Sequence, residues 1–137
     1  MKIEINRLEA PFYFRATNEN NCSLEMDSTM SGNPQKALSP MQLLLAAAGG
    51  CSGIDIVDIL QKQRLTVEDI KVSIEGNRQK DVVPALFEKI HLHFKIFGNI
   101  PQDKAARAVN LSMEKYCSVV KTLEKTAQIS FSFEVLN

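Results

Sequence analysis

Cys51 sits inside the run LAAAGGCSGIDIVDIL, residues 45–60, behind three alanines and two glycines and ahead of a third glycine. A thiol among such small residues has two readings. It is a small hydrophobe in a tightly packed core, or the missing side chains leave room for something to react with the sulfur. Asp55 follows one helical turn later and Asp58 two turns later. A carboxylate at i+4 repels a thiolate, so the local sequence does not activate Cys51, and activation needs a cation from elsewhere in the fold. Asp55 and Asp58 themselves read as a solvated or salt-bridged helix face.

The other reactive side chains are sparser. Cys117 follows a predicted helix, and Cys22 lies in a predicted strand without a partner motif and reads as structural. His91 and His93 share one strand face with Lys95. No third ligand is near them in sequence, so they read as a polar outer face and no metal site is expected. Tyr116 beside Cys117 reads as packing, and Lys80 and Asp81 as a solvated loop. No phosphate-cradling glycine loop and no nucleophilic serine motif is visible.

These groups need elements to hold them. Residues 2–8, 12–17 and 22–27 alternate as half-buried strands and form an antiparallel meander. Residues 28–38 are a loop rich in Ser, Gly, Asn and Pro. Ser39-Pro40 is a helix start, with serine as N-cap and proline at the first helical position. The helix runs to about Gln63 and is apolar nearly all round until Asp55, which makes it the buried central helix. Its three glycines cost about 3 kcal/mol of helix propensity. Close packing against another element or a second copy of the helix offsets that cost, or the space serves a substrate. Residues 70–76 and 86–97 are strands, the second with Ile90, Leu92, Phe94 and Ile96 on its inner face. Residues 102–116 are a helix with Ala106, Val109 and Met113 on one stripe, and SVVKTLEKT is a short helical segment. Residues 128–136 form the last strand, with Ile129, Phe131, Phe133 and Val135 inward. The order gives an α+β fold of antiparallel sheets packed on helices, in one domain over residues 1–137.

Composition bounds the function classes. The chain has 137 residues, 45% hydrophobic and 23% charged, with 16 basic and 16 acidic side chains. A balanced charge argues against a nucleic-acid partner. No apolar run approaches the ~20 residues of a membrane span. The start MKIEINRLEA lacks the apolar core of a signal peptide. An odd cysteine count in that setting argues against a disulfide framework and for a cytoplasmic protein with reduced thiols.

The segments SPMQLLLAAAGGCSGIDI (39–56) and KYCSVV (115–120), in this order of elements, resemble the OsmC/Ohr family of thiol-dependent hydroperoxide reductases. The likeness is to the OsmC-like branch and covers the whole length. It implies an intertwined homodimer with the central helices buried between subunits. It implies that Cys51 is the peroxidatic cysteine, becoming a sulfenic acid, and that Cys117 is the resolving cysteine that condenses with it. It further implies no bound cofactor, a dithiol reductant such as the lipoyl group of a partner protein, and an Arg, held by a Glu, that stabilises the thiolate. Arg7 and Arg15 are the arginines in the region where the family carries this group, and Arg15 on the second strand is the candidate. Two positions depart from the family's peroxidases: Met41 stands where their Glu lies, ten residues before the cysteine, and Ser118 stands where they carry proline. The alternative is therefore a small-molecule binding protein of the same fold, which takes an apolar or thiol-reactive ligand with little peroxidase turnover. Thiol–disulfide exchange on other proteins would need an exposed cysteine.

Overall fold

A computed structural model describes residues 1–137, the side chain of Ser31 excepted. Contacts group the chain into two units, Met1–Leu44 and Leu45–Asn137, divided within the first turns of the long helix.

The first unit is the predicted meander. Strands β1 (Ile3–Glu9), β2 (Tyr13–Asn18) and β3 (Ser23–Met26) pair antiparallel in that order. The β2–β3 turn is held by Asn18, whose Oδ1 accepts the N–H groups of Asn20 and Cys22, each at 2.9 Å. Such side-chain-to-backbone bonds are why Asn favours turns. The loop after β3 folds around Asp27. Its carboxylate accepts the N–H of Ser28 at 2.7 Å and of Lys36 at 2.9 Å. The Lys36 and Ser28 N–H groups hold this carboxyl below its ordinary pKa. Cys22 is exposed just ahead of β3, so its sequence reading as a structural cysteine is corrected: it packs into no core.

Helix α1 spans Pro40–Lys62 and begins where the sequence predicts. Ser39 Oγ accepts the N–H of Gln42 at 3.2 Å, and Gln42 Oε1 accepts the N–H of Ser39 at 2.8 Å. This reciprocal pair is a capping box with glutamine. It fixes the first turn and commits the Gln42 side chain to the helix end.

In the second unit α1 buries Ala48, Gly49, Ser52, Gly53, Ile56 and Leu60. Their spacing of three and four marks one stripe. Part of that stripe lies on strand β4 (Asp69–Arg78): Val72 faces Gly49 and Gly53, and a Cβ at Gly49 would overlap Ile74 Cδ1. Gly50 differs, since a Cβ there would meet nothing within 4 Å. The glycines therefore have separate causes, and packing within the unit accounts for Gly49. The outer face of α1 stays apolar and uncovered, with Ile54 72% exposed. By length and average composition, α1 is apolar enough to cross a membrane. The expectation of no run of that length counts unbroken apolar residues, whereas hydropathy averaged along the helix tolerates two carboxylates.

Sheet order is β4-β5-β6, with β5 (Phe87–Phe97) central and β6 (Gln128–Leu136) at the edge. Ile90, Leu92, Phe94 and Ile96 are buried on one face of β5, as predicted, while His91, His93 and Lys95 alternate with them. The expectation of antiparallel sheets needs correction. β4 and β5 are antiparallel, but β5 and β6 run parallel. The helical crossover between them returns the chain to the end of the sheet where β5 began, which forces a parallel partner. The predicted helix over 102–116 is also divided. Helix α2 (Gln102–Leu111) is followed by a π-helical turn, Ser112–Tyr116, before α3 (Ser118–Leu123). The buried stripe of α2 is Ala105, Ala108 and Val109, continued by Met113, with Ala106 only half-buried.

Candidate functional site

Cys51 and Asp55 are one turn apart on α1 and share a face. The π-turn brings Cys117 to the same place. Its wider loop closes with the Cys117 N–H bonded to Ser112 O at 2.8 Å. Single π-turns within helices recur at functional positions because the extra residue re-aims the side chain that follows. Cys117 then serves as N-cap of α3, its sulfur accepting the Val120 N–H at 3.4 Å. Cys51 Sγ, Cys117 Sγ and an Asp55 carboxylate oxygen all lie within 4.8 Å of one another.

The two sulfurs differ in exposure. Cys117 is completely buried and Cys51 is half-buried. Cys117 Sγ lies 4.0 Å from Ala48 O, the carbonyl that also accepts the Ser52 hydroxyl at 2.7 Å. Burial, aided by the neighbouring Cys51 sulfur and opposed by the Val120 N–H, pushes the Cys117 thiol up to about 11. A folded-state pKa above the unfolded one means that the native chain keeps a proton the unfolded chain has lost. Below the ordinary thiol value stability is unaffected; from there up to about 11 it falls as pH rises. The size of that loss is about 3 kcal/mol. Urea unfolding at pH 8 and pH 11 is expected to differ by that much more in the parent than in Cys117→Ala.

Asp55 corrects the sequence reading. It is half-buried, and Ser112 Oγ donates to its Oδ2 at 3.1 Å with Ser52 O as a second acceptor at 3.3 Å. Ser112 is itself fully buried. Its hydroxyl ties the π-turn to α1 and fixes the carboxylate beside the sulfurs. Asp58 does follow the sequence reading: it is exposed and pairs with Lys62 at 2.6 Å. A cavity of 640 Å³ opens on the outer side of Asp55, bordered by Lys104, Arg107 and Tyr116 among others. An apolar groove of 460 Å³ runs along Gly50, Gly53, Ile54, Ile70 and Val72.

Arg15 is in the first unit, on β2 opposite Glu25 of β3. Its guanidinium meets Glu25 Oε1 at 2.6 Å, and the other oxygen of that carboxylate takes the Tyr13 hydroxyl. The Tyr13 hydroxyl first and Arg15 second hold Glu25 below the ordinary carboxylate range. A glutamate thus holds Arg15, but from the neighbouring strand rather than from position 41. Sequence reading missed it because cross-strand partners depend on register.

The remaining candidates are engaged elsewhere. His91 contacts Ser130 and Ser132 at 2.7 and 3.0 Å; His93 contacts Ser132 at 2.8 Å and Glu134 at 3.2 Å. The imidazole of His93 and the ammonium of Lys95 lower the pKa of Glu134. Lys80 and Asp81 are exposed, as expected. Tyr116 is 50% exposed at the cavity rim, with Lys115 Nζ 5.3 Å from its ring centre.

Known proteins share this chain's sequence and fold. Protein YhfA of Escherichia coli (strain K12) is 51% identical over 109 residues, covering 78% of this chain and 81% of that protein. A solved structural-genomics protein is 42% identical, with a TM-score of 0.87 over 99% of this chain and 98% of its own. An organic hydroperoxide resistance protein OsmC from Legionella pneumophila shares the fold at 19% identity, with a TM-score of 0.72 over 98% of both chains. The family model described as OsmC-like protein matches residues 32–132. With two cysteines gathered by the long helix and the segment before the last strand, and with these relatives, the chain belongs to the OsmC-like protein family.

Proposed function

We propose that the chain is a two-cysteine, thiol-dependent organic hydroperoxide reductase. The observation that carries this reading is the unequal exposure of two neighbouring sulfurs. A half-buried Cys51 is open to a small molecule, and the buried Cys117 sulfur lies within 4.8 Å of it. The roles follow. Cys51, as thiolate, attacks the hydroperoxide; the O–O bond breaks, an alcohol leaves with a proton, and a sulfenic acid remains. Cys117 attacks the Cys51 sulfur, the S–S bond forms, and hydroxide leaves as water with the Cys117 proton. In sum, two thiols and a hydroperoxide give a disulfide, an alcohol and water. A dithiol, such as the lipoyl group of a partner protein, returns the pair to thiols. An Asp55 carboxylate oxygen lies within 4.8 Å of both sulfurs.

Arg15 is the candidate cation for the thiolate, and its pairing with Glu25 supplies the brace that Met41 lacks. The uncovered apolar face of α1 supports a homodimer across that helix. A cytoplasmic setting suits three free thiols. The test is consumption of an organic hydroperoxide with a dithiol reductant, comparing the parent with Cys51→Ser and Cys117→Ser. Turnover lost in both variants supports the reading; turnover unchanged in Cys51→Ser ends it.

A second reading is favoured by the Asp55 carboxylate, which opposes negative charge on either sulfur. On that reading the protein binds a small apolar or thiol-reactive ligand and turns over little. Met41→Glu separates the two. If Glu25 already braces Arg15, the substitution is expected to leave the peroxidase rate unchanged; a gain in rate favours the binding protein.

A further inference from the structure

Cys51, Asp55 and Cys117 are more than a redox pair with a carboxylate nearby. Among the described residues they form a group of three metal-ligating side chains whose donor atoms lie within 4.8 Å of one another. We propose that these three residues form a binding site for a thiophilic divalent cation, with zinc the ion its chemistry fits.

Four features carry the assignment. The first is donor type: two sulfurs and one carboxylate oxygen suit zinc and cadmium and discriminate against magnesium and calcium. The second is spacing. Zinc–sulfur bonds of about 2.3 Å in a tetrahedron put sulfurs about 3.8 Å apart. Donors within 4.8 Å need to close by about 1 Å at most. The third is support. Ser112 Oγ donates to Asp55 Oδ2 at 3.1 Å, the kind of outer hydrogen bond that orients a ligating carboxylate. Cys51 and Asp55 are fixed one turn apart on α1, and Cys117 is anchored by its place as N-cap of α3. The fourth is access: Asp55 borders the 640 Å³ cavity, whose wall also carries the cations Lys104 and Arg107.

Three protein ligands leave a fourth position for water. Binding displaces both thiol protons, including that of buried Cys117, so affinity rises with pH. The cation and the Cys51–Cys117 disulfide exclude one another, because sulfurs bonded to each other are not thiolates. Zinc therefore blocks oxidation of the pair, and oxidation releases the ion.

Reduced protein titrated with Cd2+ tests this by the ultraviolet cadmium–thiolate band, followed by Zn2+ displacement against a chromophoric chelator. The expected result is one equivalent per chain in the parent and in Cys22→Ser, and loss in Cys51→Ser and Cys117→Ser. Asp55→Asn is expected to bind at least about tenfold more weakly, since it keeps an acceptor for Ser112 but loses the charge. Circular dichroism checks folding. If buried Cys117→Ser fails to fold, the half-buried Cys51→Ser decides. No band at one equivalent, a band that survives in Cys51→Ser, or Asp55→Asn binding as tightly as the parent overturns the assignment. Each readout is binding, so the outcome does not depend on peroxidase turnover.

Discussion

Cys51→Ser is expected to abolish hydroperoxide consumption, and Cys117→Ser to end sustained turnover, its Cys51 sulfur being left as a sulfenic acid open to over-oxidation. The asymmetry comes from burial. In Cys51→Ser the remaining sulfur of the pair has no exposed surface, and burial keeps its proton on up to a pH of about 11. A buried neutral thiol is a poor nucleophile toward a peroxide arriving from solvent, because the thiolate is the reacting species, whereas the Cys51 sulfur is already beside it. In Cys117→Ser the half-buried sulfur still meets the peroxide, but no neighbouring protein thiol condenses with the sulfenic acid. That intermediate should then be trapped by a sulfenic-acid reagent, and a second equivalent of peroxide should carry it to the irreversible sulfinic form. A Cys117→Ser variant that turns over as fast as the parent would remove the resolving role. Cys22→Ser, at an exposed turn, is expected to behave as the parent.

Two isoleucines near one another on α1 should respond very differently to truncation. Ile56 is wholly buried and lies in the buried stripe of the helix. Ile56→Ala removes its packing and leaves a cavity, at a cost of about 2–5 kcal/mol. That is a large share of the 5–15 kcal/mol that typically holds a domain folded. The urea midpoint should drop at every protein concentration. Ile54 is 72% exposed in the single chain. A surface truncation of that kind costs within about 0.5 kcal/mol, so the monomer should barely notice it. If a second copy covers this face, Ile54→Ala should instead weaken association in sedimentation equilibrium and make the unfolding midpoint more concentration-dependent. An unchanged association state would count against a dimer across this face. A neutral Ile56→Ala would count against the assignment of the buried stripe.

Much of the scaffold was legible in the sequence, because it rests on local rules. Ser39-Pro40 marks the helix start by capping chemistry, and the alternation over 86–97 gives the core strand directly. Cys51 stands out by its small neighbours, but its pairing with Cys117 came only through resemblance, since nothing local distinguishes Cys117 from a core thiol. What was not legible depends on contacts between distant residues. The π-turn at Ser112–Tyr116 has no composition of its own, and it closes around a serine whose hydroxyl reaches Asp55 and Ser52 on α1. Asp55 looked like a solvated face because helical spacing does not reveal what packs on that face. Glu25 became the partner of Arg15 through strand register, which is fixed by the whole meander. The parallel pairing of β6 likewise follows from the path of the crossover rather than from its residues.

The most direct test of the two-cysteine account is a single-turnover reaction of the reduced protein with one equivalent of an organic hydroperoxide. It is followed by rapid quench and peptide mass spectrometry, with free cysteine as the rate reference. The account predicts that Cys51 is oxidised far faster than free cysteine, and that the chain becomes lighter by two hydrogens as a Cys51–Cys117 disulfide forms. Oxidation of Cys51 no faster than free cysteine, or a product in which the two residues are not joined, would contradict it.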